Sequence, residues 1–502
     1  MLASLCVQEL YHRNDAKFKT RLISFVREQV HSNQEFCPLV FTRIFKLLNL
    51  LNKRQATINS SKQVLPIFRL ICHWEWNKLD ENNKKLFVEA ILLVASIVSK
   101  SESSKLNYKC FETFARWIKR SKNQEEFVDI FKQFTQEDLS LSCCVVWNFI
   151  AELHPELFQI HKFFVLDLVV KNVIMSKKNV SQILHPNSLK NIMKRIDSED
   201  FKSIIFPSIQ KAILRNPEIT LGLLAFMFVN LKISLSEYSA DLAKIVGSNI
   251  RIENLQDETL KAVTVIAPVL DISASVETIL QYLTNVYNGK EGKLTSVTQK
   301  TGILKAMAIL ANNSVEDKSK VFNLALNCFF STIKLETLEA NVQFCLTQMK
   351  VWFEKSSGVD VDEQFWKNVK EYRKSKFASA TMGQFLSCIV CYLNNAKTKK
   401  IDDELLTVIM NSSKNVSLPI SKISLLNECV NACVILLLLQ SKDKLLPSLK
   451  QSDKVSFLND KFVEDSPVEN LFNLCKFIEL ICLIPEFAQK RYVFICLFFF
   501  IY

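Results

Sequence analysis

The sequence predicts an all-α chain of repeated helix pairs, and three observations carry that prediction. Seven Gly and 11 Pro are spread over 502 residues, far below ordinary usage of about 12% for the two together. Hairpins, βα turns and phosphate loops all draw on glycine at positive φ, so a chain this poor in it is built mostly from helix. Apolar side chains recur at helical spacing, as with Phe201, Ile204, Ile205, Ile209, Ala212 and Ile213 in SEDFKSIIFPSIQKAILRNPEI, residues 198–219. Helix-start signals then return at a regular interval.

Asn216-Pro217-Glu218 reads as a capping side chain, a proline at the first helical position and an acid in the first turn. Ser466-Pro467-Val468-Glu469 reads as a capping box with the same proline. Weaker starts fall at Ser236-Glu237, Asp257-Glu258, Ser275-Val276-Glu277 and Ser314-Val315-Glu316. First helices of successive pairs therefore begin near 198, 236, 275 and 314, a step of about 39 residues. That period belongs to a HEAT/armadillo-like helical-repeat superhelix, an α-solenoid, in which each pair completes its core only against its neighbours. Pro207 is expected to bend the helix that contains it, and Pro268 in TLKAVTVIAPVL to bend another; the alternative for Pro207 is a helix that ends near 206.

Apolar residues make up 49% and charged residues 23%, with no Ser/Gly-rich or Pro-rich linker, which excludes a disordered chain. The 15 cysteines are odd in number and scattered singly through apolar runs, the pattern of reduced buried thiols in a cytosolic or nuclear protein. MLASLCVQELYHRNDAKFK lacks a basic n-region and meets Glu9, His12 and Arg13 too early for a signal peptide. No stretch reaches the ~20 apolar residues of a membrane span. The closing RYVFICLFFFIY is apolar but shorter than that, and is expected to be a truncated or misread terminus. Three segments follow: 1–164 as divergent helical repeats, 165–485 as HEAT-like repeats, and 486–502 as an apolar tail.

The string at 198–219 and NGKEGKLTSVTQKTGIL, residues 288–304, resemble a known family. It comprises very large HEAT-repeat, ribosome-associated activators of the general-control kinase, which phosphorylates the alpha subunit of translation initiation factor two. DLVVKNVIMSKKN, 167–179, is similar as well, and DKFVEDSPVENL more loosely. The similarity is good over 165–310, partial to 485, and a matter of pattern before 165. It implies an armadillo-like superhelix that associates with translating or stalled ribosomes and helps deliver uncharged tRNA to the kinase. In that family the region resembling fungal elongation factor three and the kinase-binding segment come later than Tyr502, so the resemblance implies ribosome binding without kinase activation.

No catalytic constellation accompanies these repeats. Gly222, Gly247, Gly289, Gly292, Gly302, Gly358 and Gly383 are too dispersed for a phosphate loop, and neither a serine elbow nor a His-Glu-x-x-His motif occurs. Gly289 and Gly292 around Lys290-Glu291 mark a helix–helix turn rather than an anion site. Cys388 and Cys391, with Cys429 and Cys433, have zinc-like spacing but lie in apolar helix text, which favours packed thiols. His12, His31, His73, His154, His161 and His185 show no metal-recruiting pattern, and Trp74 and Trp76 are expected to pack. No cofactor, metal or membrane is expected, and no enzymatic activity.

The net charge of +12 is compatible with an anionic partner and is not by itself a nucleic-acid signature. Lys119, Arg120 and Lys122, then Lys177 and Lys178, Lys194 and Arg195, and Arg373, Lys374 and Lys376 form basic clusters, with Lys397, Lys399 and Lys400 beyond them. Singly, each reads as solvated surface at a helix end. Collectively they are the candidate ribosome-facing residues, contacting rRNA phosphates without base readout and weakening with salt; the resemblance adds ribosomal proteins as partners and the cytoplasm as location. A protein-binding solenoid of another class, such as a nuclear transport receptor, is the alternative, and the positive charge argues against it.

Overall fold

In a computed structural model, residues 15–355 are described apart from short gaps, the longest at 99–111, together with Gln384, Cys388 and Cys391. Among the described residues every regular element is helical. They divide into two compact units, one reaching Ser234 and including Asp257–Ile266, the other made of Leu235–Gln256 and the residues from Ala267 onward.

The first unit opens with α1 (Ala16–Ser32), α2 (Phe36–Lys53), α3 (Ile58–Ile71) and α4 (Glu81–Val98). Asp15 starts α1 by accepting the amide hydrogens of Lys17 at 2.9 Å and Phe18 at 3.3 Å, which satisfies two donors that the first turn leaves unpaired. Ile23, Val26 and Val30 then recur on one side and are buried. α5 (Gln124–Lys132), α6 (Ser140–Leu153), α7 (Pro155–Ile160), α8 (Lys162–Val169) and α9 (Lys190–Met193) follow. α1 packs on α3, α2 on α4, α4 on α6, and α6 on α8. This next-but-one contact is what a stack of helix pairs produces, since each helix meets its counterpart in the adjoining layer.

Helices then begin at the predicted interval. α10 (Ser198–Asp200) passes through Phe201–Ile205 into α11 (Phe206–Arg215), and α12 (Pro217–Phe228) completes the pair. The helix neither stops at 206 nor stays regular. Phe201–Ile205 is a π turn in which the Phe206 N–H reaches back five residues to the Phe201 carbonyl, and the helix continues through Pro207. Pro268 behaves otherwise than expected: α14 (Gln256–Ile266) ends before it, and Ala267–Val269 forms a single 3-10 turn. Proline lacks the N–H that another α turn would need.

Two cap assignments also differ. Asn216 makes no side-chain capping bond; its carbonyl instead accepts the Thr220 hydroxyl at 2.8 Å. Ser314 closes the preceding helix, its hydroxyl donating to the Leu310 carbonyl at 2.9 Å, and the next helix begins at Lys318. The Ser466 signal lies outside the described residues.

The second unit contains α13 (Ser239–Asn249), α15 (Glu277–Tyr287), α16 (Val297–Asn313), α17 (Lys318–Ile333) and α18 (Glu339–Lys355). α13 packs on α15, α15 on α17, and α16 on α18. Gly289 at φ 77° and Gly292 at φ 107° make the α15–α16 turn, a conformation that an L side chain resists. It is the expected helix–helix turn. The fold class is therefore the all-α, HEAT/armadillo-like helical-repeat class.

Candidate functional site

Polar side chains hold the layers in register where apolar packing alone would let them slide. In the first unit Lys162, at the start of α8, is buried with 8% of its side chain exposed. It pairs with Asp197 at 2.6 Å and also with Asp200. Those aspartates form a reciprocal capping box on α10, the Asp200 N–H donating to Asp197 at 2.9 Å and the Asp197 N–H to Asp200 at 3.2 Å. The backbone N–H of Asp200 and then the Lys162 ammonium pull the Asp197 carboxyl down to about 2. Nearby, Asn148 on α6 accepts the Asn191 N–H at 2.7 Å and donates to the Asn187 carbonyl at 3.3 Å.

Aromatic side chains fill the earlier layers of this unit. Trp76 meets Phe87, Trp117 and Phe127, each at 5.7 Å, while Trp74 lies 4.7 Å from Phe41. The Trp76 indole donates to Glu126 at 2.8 Å, and Trp117 donates to the Trp74 carbonyl at 2.9 Å. Trp74 and Trp76 are thus packing residues.

In the second unit Glu336, just before α18, is wholly enclosed. It accepts from the Tyr287 hydroxyl, from Lys300 at 3.1 and 3.2 Å, from Asn341 at 3.3 Å, and from the Thr337 and Leu338 N–H groups at 2.8 Å each. Burial alone would raise its carboxyl; these donors, Tyr287 first, outweigh burial and hold it below the ordinary range. The same contact, added to burial, drives the Tyr287 phenol far upward. Turns of this unit are linked in sequence too: Arg251 donates to the Glu291 carbonyl at 2.9 Å, Gln299 to the Arg251 carbonyl at 2.9 Å, and Thr298 to Glu253 at 2.8 Å.

Five of the ten candidate basic residues are described. Lys119 is exposed in the helical residues 116–119, and Lys177 and Lys178 are exposed in the bend after α8. Lys194 is half-buried, and Arg195 is exposed while its Nε–H donates to the Ala151 carbonyl in the last turn of α6. Arg120, Lys122, Arg373, Lys374 and Lys376 lie outside the described residues, as do Lys397, Lys399 and Lys400. The pair that meets the expectation of open, basic surface inside the family-like segment is Lys177-Lys178.

Sequence reasoning passed over Lys162, Asp197 and Glu336. The Asp197-x-x-Asp200 spacing was a readable capping-box signal; nothing local marks Lys162 or Glu336, because their partners come from other layers. Among the described residues no group of three or more His, Cys, Asp or Glu is placed to hold a metal, and no helix is long and apolar enough to cross a membrane. Cys388 is buried and Cys391 lies 3.7 Å from Glu354; Cys429 and Cys433 lie outside the described residues.

Stacked helix pairs joined by buried polar contacts define a helical-repeat protein of the HEAT/armadillo kind. Within it, residues 162–294 match the family described as stalled ribosome sensor GCN1 N-terminal, and this part of the chain is GCN1-like. Stalled ribosome sensor GCN1 of Homo sapiens is 25% identical over 293 residues, 56% of this chain and 11% of the human protein. Protein ILITYHIA of Arabidopsis thaliana is 31% identical over 161 residues, 32% of this chain and 6% of that protein. The chain thus matches about a tenth or less of the length of these relatives. Among solved structures, Kap121p aligns with 97% of this chain and 57% of its own at 11% identity and a TM-score of 0.35, too loose a likeness to bear on function.

Proposed function

We propose that this chain is a non-enzymatic, cytoplasmic scaffold in translational control that associates with ribosomes through rRNA phosphates and ribosomal proteins. The observation that carries this reading is the match of residues 162–294 to the N-terminal family of a stalled ribosome sensor, with Lys177 and Lys178 exposed inside that segment. A repeat scaffold suits the task because its layers present long edges whose charges add without any enclosed pocket. In a pathway that answers amino-acid starvation and ribosome stalling by activating the initiation factor two alpha kinase, the share read here is ribosome contact. The division into divergent repeats at 1–164 and HEAT-like repeats at 165–485 is part of this reading.

Sedimentation with purified ribosomes at rising salt tests the proposal. The chain is expected to cosediment at low salt and to be released as salt increases, because lysine–phosphate contacts displace condensed counterions. Lys177→Glu with Lys178→Glu is expected to lower the salt at which release occurs and to reduce the salt slope by about two contacts. Absence of cosedimentation at every salt concentration overturns the reading.

A further inference from the structure

α7 and α8 meet at His161, and two large apolar side chains stand out from that corner: Ile160 is 70% exposed and Phe163 73%. Their neighbours show what coverage looks like at the same place. Leu157, Phe158, Val165 and Leu166 are buried, and the ring of Phe164 has the Lys132 ammonium over it at 5.7 Å and the Trp147 ring at 6.2 Å. Ile160 ends α7 and Phe163 lies in the first turn of α8, so the two exposed side chains flank the His161 turn from either helix. Glu156, one turn before Ile160 in α7, and Asp167, one turn after Phe163 in α8, are exposed as well.

The charge around the pair is opposite in sign to that of the chain. Glu125 and Asp129 lie close enough to His161 to act on it, and Glu156 and Asp167 flank the apolar pair. The cations present are already occupied: Lys132 pairs with Asp129 at 3.1 Å, Lys171 with Asp167 at 2.7 Å, and Lys162 turns inward to Asp197 and Asp200. His161 is held neutral by burial first and by Lys132 second. A phosphate backbone meets repulsion here, whereas cations beside an apolar stripe find both of their complements.

We propose that this corner is a docking site for an amphipathic, Lys/Arg-bearing segment of a protein partner, with its apolar side on Ile160 and Phe163 and a cation against Glu156, since Asp167 is already matched by Lys171. This site is separate from the lysine–phosphate contacts, and its truth does not depend on them. Phe163 is the anchor, because a rigid aromatic that passes from water to contact contributes most per residue.

The test is fluorescence anisotropy of the full chain with three labelled probes: an 18-residue helical peptide of leucine and lysine, the same peptide with glutamate for lysine, and a single-stranded RNA. The lysine peptide is expected to bind and the glutamate peptide not to. Phe163→Asp is expected to weaken lysine-peptide binding about tenfold or more, and Glu156→Lys to weaken it severalfold. Leu214→Asp, at a residue 85% exposed outside this corner, is expected to leave it unchanged. Circular dichroism confirms that each variant is folded, which exposure of these side chains makes the expected result. Equal binding by wild type and Phe163→Asp, no binding of the lysine peptide, or an RNA affinity that falls with Phe163→Asp while peptide affinity does not, each overturns the proposal.

Discussion

Replacing Glu336 by alanine removes the acceptor on which the end of α15, the start of α16 and the start of α18 converge. The Tyr287 hydroxyl and the Thr337 and Leu338 N–H groups then lose their acceptor, while the Asn341 amide keeps its longer contact to the Tyr287 oxygen at 3.4 Å. Lys300, about a third exposed, can turn back to water and adds little to the loss. Each buried donor left without a partner costs about 1–3 kcal/mol, and partial relaxation brings the total to roughly 3–5 kcal/mol. For a cooperative unit of this size that lowers Tm by about 10 °C. Glu336→Gln retains an oxygen for the two backbone donors, so roughly 1–2 kcal/mol is expected from loss of the charge-assisted contacts alone. Urea unfolding followed by circular dichroism measures the totals, and hydrogen exchange locates them: α16 and α18 should lose protection while α6 and α8 keep it. If Glu336→Ala shifts the urea midpoint no more than Glu354→Ala on the exposed end of α18, the reasoning fails.

Two further outcomes are expected in the first unit. Lys162→Met leaves the buried Asp200 carboxylate with only its capping contact, at a cost of roughly 2–4 kcal/mol that Lys162→Met with Asp200→Asn should partly recover; an unchanged urea midpoint would refute this. His31 accepts the Glu75 N–H at 3.1 Å through Nε2 and must be neutral to do so, and burial lowers its pKa, as burial and then Lys132 lower that of His161. Because the folded values lie below the ordinary 6.5, the unfolded chain binds protons first, so stability present above about pH 6.5 is lost as pH falls toward the folded values. All six histidines precede residue 190. Between pH 7.5 and 5.5 hydrogen-exchange protection, taken relative to the intrinsic rate at each pH, should therefore fall in α1, α7 and α8 but not in α15–α18, and an equal fall in both sets would contradict the assignment.

What could be read from the sequence were the features with local causes. The start at Pro217 follows from proline at the first helical position, and those at Ser198, Ser239 and Glu277 from acids in first turns and apolar spacing, all of which act within a few residues. The prolines were harder, because the same ring is absorbed by a π turn before Pro207 and ends a helix before Pro268; the difference lies in hydrogen-bond register, which no residue type encodes. Apart from the Asp197-x-x-Asp200 capping box, the polar staples were not legible. Glu336, Lys300 and Tyr287 belong to different layers, so a sequence shows an acid, a base and a phenol without showing that they meet. Arg195 illustrates the same limit from the side of function: it is exposed as read, yet it also donates to the last turn of α6, a contact nothing local signals. Lys177 and Lys178, placed after a helix by local signals, are exposed as read.

The cysteines bear on how such a chain ages. Burial pushes the thiols of Cys37 and Cys144 up to about 12, and Cys345 is raised in the same way, so at neutral pH almost none is ionised. Oxidants attack the thiolate, and hence wait for a layer to breathe before they find one. Oxidation at these three sulfurs is therefore paced by how often their helices part.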